Sequence, residues 1–349
     1  MAAQRWGVVL AGGVGSRFWP LSTSDRPKQL LPLVDDQPMV VNTLERLAPL
    51  IPTEQTLVST NASLVEAIVA AAPALARDHV IAEPRPAGTA AALAWAASEI
   101  VRLAGPDAVM ICVHADWAIG NPARFRETLA HAADVAERER GLVTVGIVPS
   151  RPDPGFGYIE PGLDAGHGVR RVARFVEKPS RERAAEMCAQ GYLWNSGIFV
   201  WRAGDFLDEV RVRTPEVASA LAQFAGNAPD RERFFTAVHS ISVDVGVLER
   251  SDRIFVVPGD FGWDDVGTWA SLRRVRTPDA QGNVVHGAGY LLDSRDSVIY
   301  ADGNAVVAYG VSDLVVVTRN GLTVVTTIDK AADLKTLLDA LPDSIRQTS

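Results

Sequence analysis

Thirty arginines and only four lysines supply the positive charge of this 349-residue chain. Two of those lysines, Lys28 in RPKQLLPL and Lys178 in FVEKPS, each stand beside a proline. A lysine is a compact point charge that can sit on a phosphate where a planar guanidinium is too broad. Each lysine taken alone also reads as an ordinary exposed charge. A glycine-rich loop opens the chain in VVLAGGVGSRFWPLS, residues 8–22. Without Cβ atoms, Gly12, Gly13 and Gly15 let backbone N–H groups approach an anion and allow positive φ. Arg17 adds a forked donor; the competing reading is a tight turn with a solvated arginine. Carboxylates complete the set. VMICVHADWAI runs an apolar strand into Asp116, and FGWDDVGTWASL carries Asp264 and Asp265 ahead of a helix, where one of them also reads as an N-cap. Two carboxylates from distant positions are what a magnesium ion on phosphates takes from protein.

Other chemistries fail on spacing. A dinucleotide GxGxxG breaks at Phe18, and no GKS or GKT completes a Walker loop. A kinase glycine loop joins antiparallel strands, whereas this one leads into a long proline-containing stretch. There is no GxSxG elbow, and His79, His131, His167, His239 and His286 lack recognisable partners. His114-Ala115-Asp116 has no HxxxH or cysteine pair to support zinc. A net charge of −8 argues against nucleic acid held by its phosphates. Cys112 and Cys188 form no CxxC, as in a reduced intracellular protein. The start lacks a signal-peptide pattern and no window is apolar long enough to span a bilayer, so a cytoplasmic protein without membrane partner is expected.

These residues need strand ends and loops to hold them. Apolar runs at 6–10, 56–60, 108–113 and 142–148 alternate with helix-like stretches near 38–48, 62–76, 88–103 and 121–138. That rhythm predicts a parallel α/β sheet with helices on both faces, whose ligands gather at the strands' carboxyl ends. Residues 151–202 read as broken strands and 203–250 as mostly helical. After 279–284 come short β pieces (GYLLD, SVIYA, AVVAYG, LVVVT, LTVVTT) and a helix over 329–341, with Asn320-Gly321 as a type I′ hairpin. The length accommodates two domains, here 1–280 and a β-rich 281–349.

Eight segments, LAGGVGSRFWPLS...RPKQLLPL, AEPRPAGTAAALAWAA, VHADWAI, VTVGIVPSRPDPGFGYIEPG, FVEKPS, YLWNSGIFVW, SISVDVGVLER and WDDVGTWASL, occur in an order that resembles the GDP-mannose pyrophosphorylases, or mannose-1-phosphate guanylyltransferases, within the sugar nucleotidyltransferases. The resemblance spans residue 6 to about 276, and 281–349 looks like the family's tail. It implies a Rossmann-like, mostly parallel sheet with a small β-helix-like C-terminal domain. It implies guanylyl transfer from GTP to mannose 1-phosphate, giving GDP-mannose and pyrophosphate with Mg2+. By similarity Leu10, Ala11, Gly12, Gly13, Gly15, Ser16, Arg17, Lys28, Glu83, Pro84, Gly88 and Thr89 face the nucleotide. Gly157, Glu177, Lys178 and Asn195 face the sugar phosphate. Asp116 and Asp265 hold the metal, and Arg17, Lys28, Asp116, Lys178 and Asp265 carry catalysis. A homodimer is expected. The chain ends where bifunctional relatives continue into an isomerase domain, so that second activity is expected to be absent.

The chain departs from the family pattern in three places. It writes HADW for P-A-D-H, Ala87-Gly88-Thr89-Ala90-Ala91-Ala92 for R-N-T-A-P-A, and VDV at the S-I-D-Y stretch. Thr89 and Asp244 each read equally well as helix caps. The alternatives are guanylyl or other nucleotidyl transfer to another sugar 1-phosphate such as a heptose, a non-catalytic regulatory homologue, and, by fold alone, an NAD-dependent oxidoreductase.

Overall fold

The protein is described from a computed structural model covering residues 3–13, 16–223 and 230–346. Its largest element is a nine-stranded sheet. Val80–Glu83, Thr56–Asn61, Arg5–Leu10 and Val109–His114 run parallel to one another. The first of these is absent from the sequence-based expectation, because four residues are too few to display a period. Leu193–Arg202 then enters antiparallel to both its neighbours, Val109–His114 and Leu142–Ile147. Ile254–Gly259 continues parallel to Leu142–Ile147, and Val169–Val176 with Tyr158–Gly166 closes that edge as an antiparallel pair. The result is the expected α/β class, a mostly parallel sheet with one antiparallel strand inserted and a second, Val169–Val176, near one edge.

The inner strands read as continuous apolar runs because they are covered on both sides. Every residue from Leu142 to Ile147 is buried. The helix Thr89–Ala104 presents Ala90, Ala91, Leu93, Ala94 and Ala97 to the same core as Trp6, Val8, Leu10, Met110 and Cys112. Its run of alanines has both high helix propensity and small volume, which lets the helix lie close to the strands. The helix Pro122–Glu139 begins with proline at its first turn and with the Asn121 side chain accepting the Arg124 N–H.

Packing divides the chain into two units. The first comprises Met1–Gly12, Leu44–His114 and Asn121–Phe261 and holds the nine-stranded sheet. The second comprises Gly13–Thr43, Ala115–Gly120 and Gly262–Ser349. Within it, Ala118–Ile119 pairs antiparallel with Trp263–Asp264. A four-stranded sheet follows from Val284–Leu292, Val298–Tyr309, Leu314–Arg319 and Leu322–Thr327. Its first three strands are parallel neighbours, as in a β-helix. SVIYA and AVVAYG, expected as separate pieces, form one strand with a bulge between Gly287 and Gly289 of its partner. Asn320 and Gly321 both have positive φ, the geometry a type I′ turn demands. One core joins Phe18, Leu21, Leu31 and Leu33 to Trp269, Val284, Val298, Tyr300, Val315, Val317 and Leu334. Among the described residues, no helix is long and apolar enough to cross a membrane.

Candidate active site

Lys28 heads a single 3-10 turn, Lys28–Leu30, and is buried at 6% exposure, not the solvated lysine of the bland reading. Its ammonium donates to Asp116 Oδ2 at 2.9 Å and to the backbone carbonyl of Asp265 at 2.6 Å. Two acidic residues far apart in the sequence are thus joined by one buried cation. Asp116 stands two residues beyond the strand Val109–His114, as its strand-end position predicts. Asp265 precedes Val266, a buried β-branched residue held at φ 47°. That conformation is a costly one, of the kind found where a backbone is aimed for a purpose. A Cβ on Gly267 would lie 2.5 Å from Asp265 Oδ2, so glycine is what gives that carboxylate its room.

The neighbouring Asp264 is spoken for. It is buried, accepts two guanidinium bonds from Arg274 at 2.6 and 3.2 Å, and accepts the Val266 N–H. Neither aspartate is the cap expected ahead of VGTWASL; Thr268 is, in a capping box with Ser271. Arg17 is exposed on the turn Ser16–Phe18. Gly15 lies outside the described residues. Gly12 and Gly13 do not take the positive φ expected of them. A Cβ would meet only Glu83 Oε1, at 4.0 Å, at Gly12 and nothing within 4 Å at Gly13. Among the described residues, no atom demands glycine there.

In the first unit, Leu10 and Ala11 are buried, and Ala11 is fastened to the next strand through Ser59 O and the Thr60 hydroxyl. Glu83 ends the strand Val80–Glu83 and accepts the Ser59 hydroxyl at 2.7 Å. Burial pushes its carboxyl above the usual range, and the Ser59 bond offsets only part of this. Pro84 lines a cleft with Ala62, Ala82, Trp95 and Asp230–Glu232. Gly88, not Thr89, is the N-cap of Thr89–Ala104, at φ 80°, while the Thr89 hydroxyl accepts the Val243 N–H. A Cβ at position 88 would sit 2.2 Å from the Ile241 carbonyl oxygen. Gly88→Ala is therefore expected to cost about 3 kcal/mol or more in urea unfolding, through both φ and overlap.

The sugar-side candidates also gather within this unit. Asn195 donates its backbone N–H to Gly157 O and its side-chain amide to Asp244 Oδ1, both at 2.8 Å. A Cβ on Gly157 would fall 2.7 Å from Glu177 Oε2, so the Glu177 carboxylate lies directly over that glycine. Lys178, exposed and at φ 42°, pairs with Glu177 at 2.9 Å. Asp244 is not a cap either, since Ser242 caps Val243–Gly246. Sequence reasoning missed Glu249, whose carboxyl is pushed up by partial burial and by the charges of Asp244 and Glu177. No pattern in the sequence singles it out.

A nucleotidyl transferase family model matches residues 6–282, and a model for the β-helix domain of mannose-phosphate isomerase and guanylyltransferase-like proteins matches 283–341. An Escherichia coli protein named mannose-1-phosphate guanylyltransferase is 37% identical over 97% of this chain and 74% of its own. The chain belongs to the mannose-1-phosphate guanylyltransferase family. A Pseudomonas putida member, named alginate biosynthesis protein AlgA, is 35% identical over 97% of this chain and 72% of its own. A solved Thermus thermophilus structure, named mannose-1-phosphate geranyltransferase, superposes with a TM-score of 0.88 at 35% identity, covering 96% of this chain and 98% of that one. As a family member the chain is a nucleotidyltransferase, whose substrate classes are a nucleoside triphosphate and a sugar phosphate.

Proposed function

We propose that the chain transfers the guanylyl group of GTP to α-D-mannose 1-phosphate, releasing pyrophosphate. The observation that supports this best is the buried Lys28 ammonium shared by Asp116 and the Asp265 carbonyl. A phosphate oxygen of the sugar phosphate attacks the α-phosphorus in line, the Pα–O bond to the β-phosphate breaks, and its electron pair leaves with pyrophosphate. That nucleophile is already ionised, so no general base is needed and catalysis reduces to positioning and charge neutralisation.

The backbone of Gly12, Gly13, Gly15 and Ser16 cradles the phosphates, and Arg17 and Lys28 neutralise the triphosphate and the leaving group. The ion pair with Asp116 holds the buried Lys28 ammonium in place for a phosphate. Guanine lies against Leu10, Ala11, Glu83, Pro84, Gly88 and Thr89, with the Glu83 carboxylate as acceptor for its N–H donors. Glu177, Asn195 and the Gly157 backbone hold the mannose hydroxyls, and Lys178 grips the sugar phosphate. Asp116 and Asp265 fit a magnesium ion: the donors are hard oxygens, Gly267 leaves Asp265 Oδ2 room, and two protein carboxylates leave positions for water and phosphate. When bound, the ion supplies charge to the phosphate oxygens.

In sequence terms residues 1–280 are the transferase module and 281–349 its tail. The same reading makes the enzyme a cytoplasmic homodimer. Exposed Tyr290, Leu292, Val307 and Tyr309 support the dimer, because paired register and alternation put them on one face of the tail sheet. The test measures pyrophosphate release with GTP, ATP or UTP against a panel of sugar 1-phosphates. Preference for another pair, or NAD binding in place of GTP, overturns the assignment. In the same assay Lys178→Ala is expected to raise KM for mannose 1-phosphate about 10-fold or more with a smaller change in kcat.

A further inference from the structure

Lys28 lies in a stretch, residues 21–35, whose only regular structure is its own 3-10 turn, so no ladder fixes its side chain. Leu31 and Leu33 pack into the core of this unit and the Met39 N–H bonds Leu31 O, and one guanidinium gathers the carbonyls that follow. Arg276 donates Nε to Leu33 O at 2.7 Å and Nη2 to Pro32 O and Asp35 O at 2.7 and 2.9 Å. Its remaining nitrogen, Nη1, is 3.3 Å from His286 Nδ1 on the first tail strand. That imidazole stacks on the buried Tyr300 with ring centroids 4.2 Å apart. On its own strand of chain, Arg276 terminates the helix Leu272–Val275, which follows the Asp264–Asp265 stretch and is tied to it by the Arg274–Asp264 pair. At the other end of the stretch, Arg319 donates to Leu21 O at 3.0 Å.

We propose that Arg276 is a positioning residue for Lys28: its planar fork locks the segment after Lys28 against the segment after Asp265, so that the ammonium arrives between Asp116 and the Asp265 carbonyl. The proposal rests on the guanylyltransferase reading for its kinetic consequences, though not for the clamp itself. Four acceptors spread around one plane suit a guanidinium, and the point charge of a lysine cannot serve them together. Burial, which holds this guanidinium's pKa below its ordinary value, makes those acceptors necessary. The role of the tail follows: through His286 and Tyr300 it braces the guanidinium from the side away from the carbonyls.

The decisive variant is Arg276→Lys in the full chain. It is expected to weaken GTP binding and lower kcat by about 10- to 100-fold, as small misplacements of a catalytic group do, while changing KM for mannose 1-phosphate by less than about 3-fold. Amide exchange over residues 28–35 should quicken with that over the first-unit strands unchanged. In a Lys28→Ala background, adding Arg276→Lys should leave GTP affinity unaltered, because the group being positioned is gone. An unchanged GTP affinity in the single variant, or an additive loss in the double, overturns the proposal. A general loss of fold in Arg276→Lys moves the test to His286→Asn, where exchange over 28–35 quickens if the brace is real and stays at wild-type rates if it is not. A wild-type protein that makes no GDP-mannose overturns the functional reading alone, and faster exchange in Arg276→Lys then still supports the clamp.

Discussion

Asp116→Asn is expected to lower kcat for GDP-mannose formation by about 10³-fold, the size of effect seen when one preorganised electrostatic partner of a transition state is removed. Asparagine is isosteric and keeps an oxygen that accepts the Lys28 bond, now 2.9 Å long. The fold therefore loses only the charge-assisted part of one hydrogen bond at a site about a third exposed, about 1 kcal/mol in urea unfolding. On the magnesium assignment proposed above, what disappears is one of the two negative charges offered to the cation. The magnesium concentration for half-maximal rate should rise together with the fall in kcat. Rates within about 3-fold of wild type at ordinary magnesium would remove Asp116 from the chemistry.

Lys28→Met should be nearly as damaging to turnover and more damaging to the fold. Methionine fills the volume of the lysine stem but offers nothing to Asp116 Oδ2 or to the Asp265 carbonyl. Breaking a buried pair by removing one partner costs about 3–5 kcal/mol, and the partial exposure of Asp116 reduces this to about 1–3 kcal/mol. On the proposed reading the charge that neutralises the triphosphate is lost as well, so kcat/KM for GTP is expected to fall about 10²- to 10³-fold. The pairing predicts a reversal of sign: in Lys28→Met with Asp116→Asn, part of the lost stability returns because no carboxylate remains that has lost its ammonium, while activity does not. Urea midpoints of the four proteins in that cycle and their steady-state rates check both halves.

Much of the architecture was legible, because the parallel core leaves a strong trace: covered strands write runs such as VMICV and LVTVGIV. The inserted antiparallel strand was not, since YLWNSGIFVW is apolar in the same way and strand direction depends on connections elsewhere. Lys28 stood out through the chain's near-exclusive use of arginine, and Asp116 through its place after a strand. The cap readings left open at Thr89, Asp244 and the 264–265 pair all give way for one reason. A side chain that could cap its own helix had a better partner across the fold: Val243 for Thr89, Asn195 for Asp244, Arg274 for Asp264. Arg276 gave no signal at all, because three of its four acceptors are main-chain carbonyls, which every residue has.

The three-part make-up of the second unit bears on how the nascent chain matures. Phe18, Leu21, Leu31 and Leu33 leave the ribosome about 300 residues ahead of Val315, Val317 and Leu334, with which they share a core. Leu21 and Arg319, joined by a hydrogen bond, are 298 positions apart. Synthesis at roughly 5–20 residues per second leaves the early apolar stretch waiting on the order of ten seconds or more for its partners. Over that interval it is sticky surface, open to chaperones and to other unfinished copies. Activity should therefore appear only once the strands that carry Val315 and Val317 have emerged, and ribosome-stalled chains lacking those strands should display the Lys28 stretch to proteases.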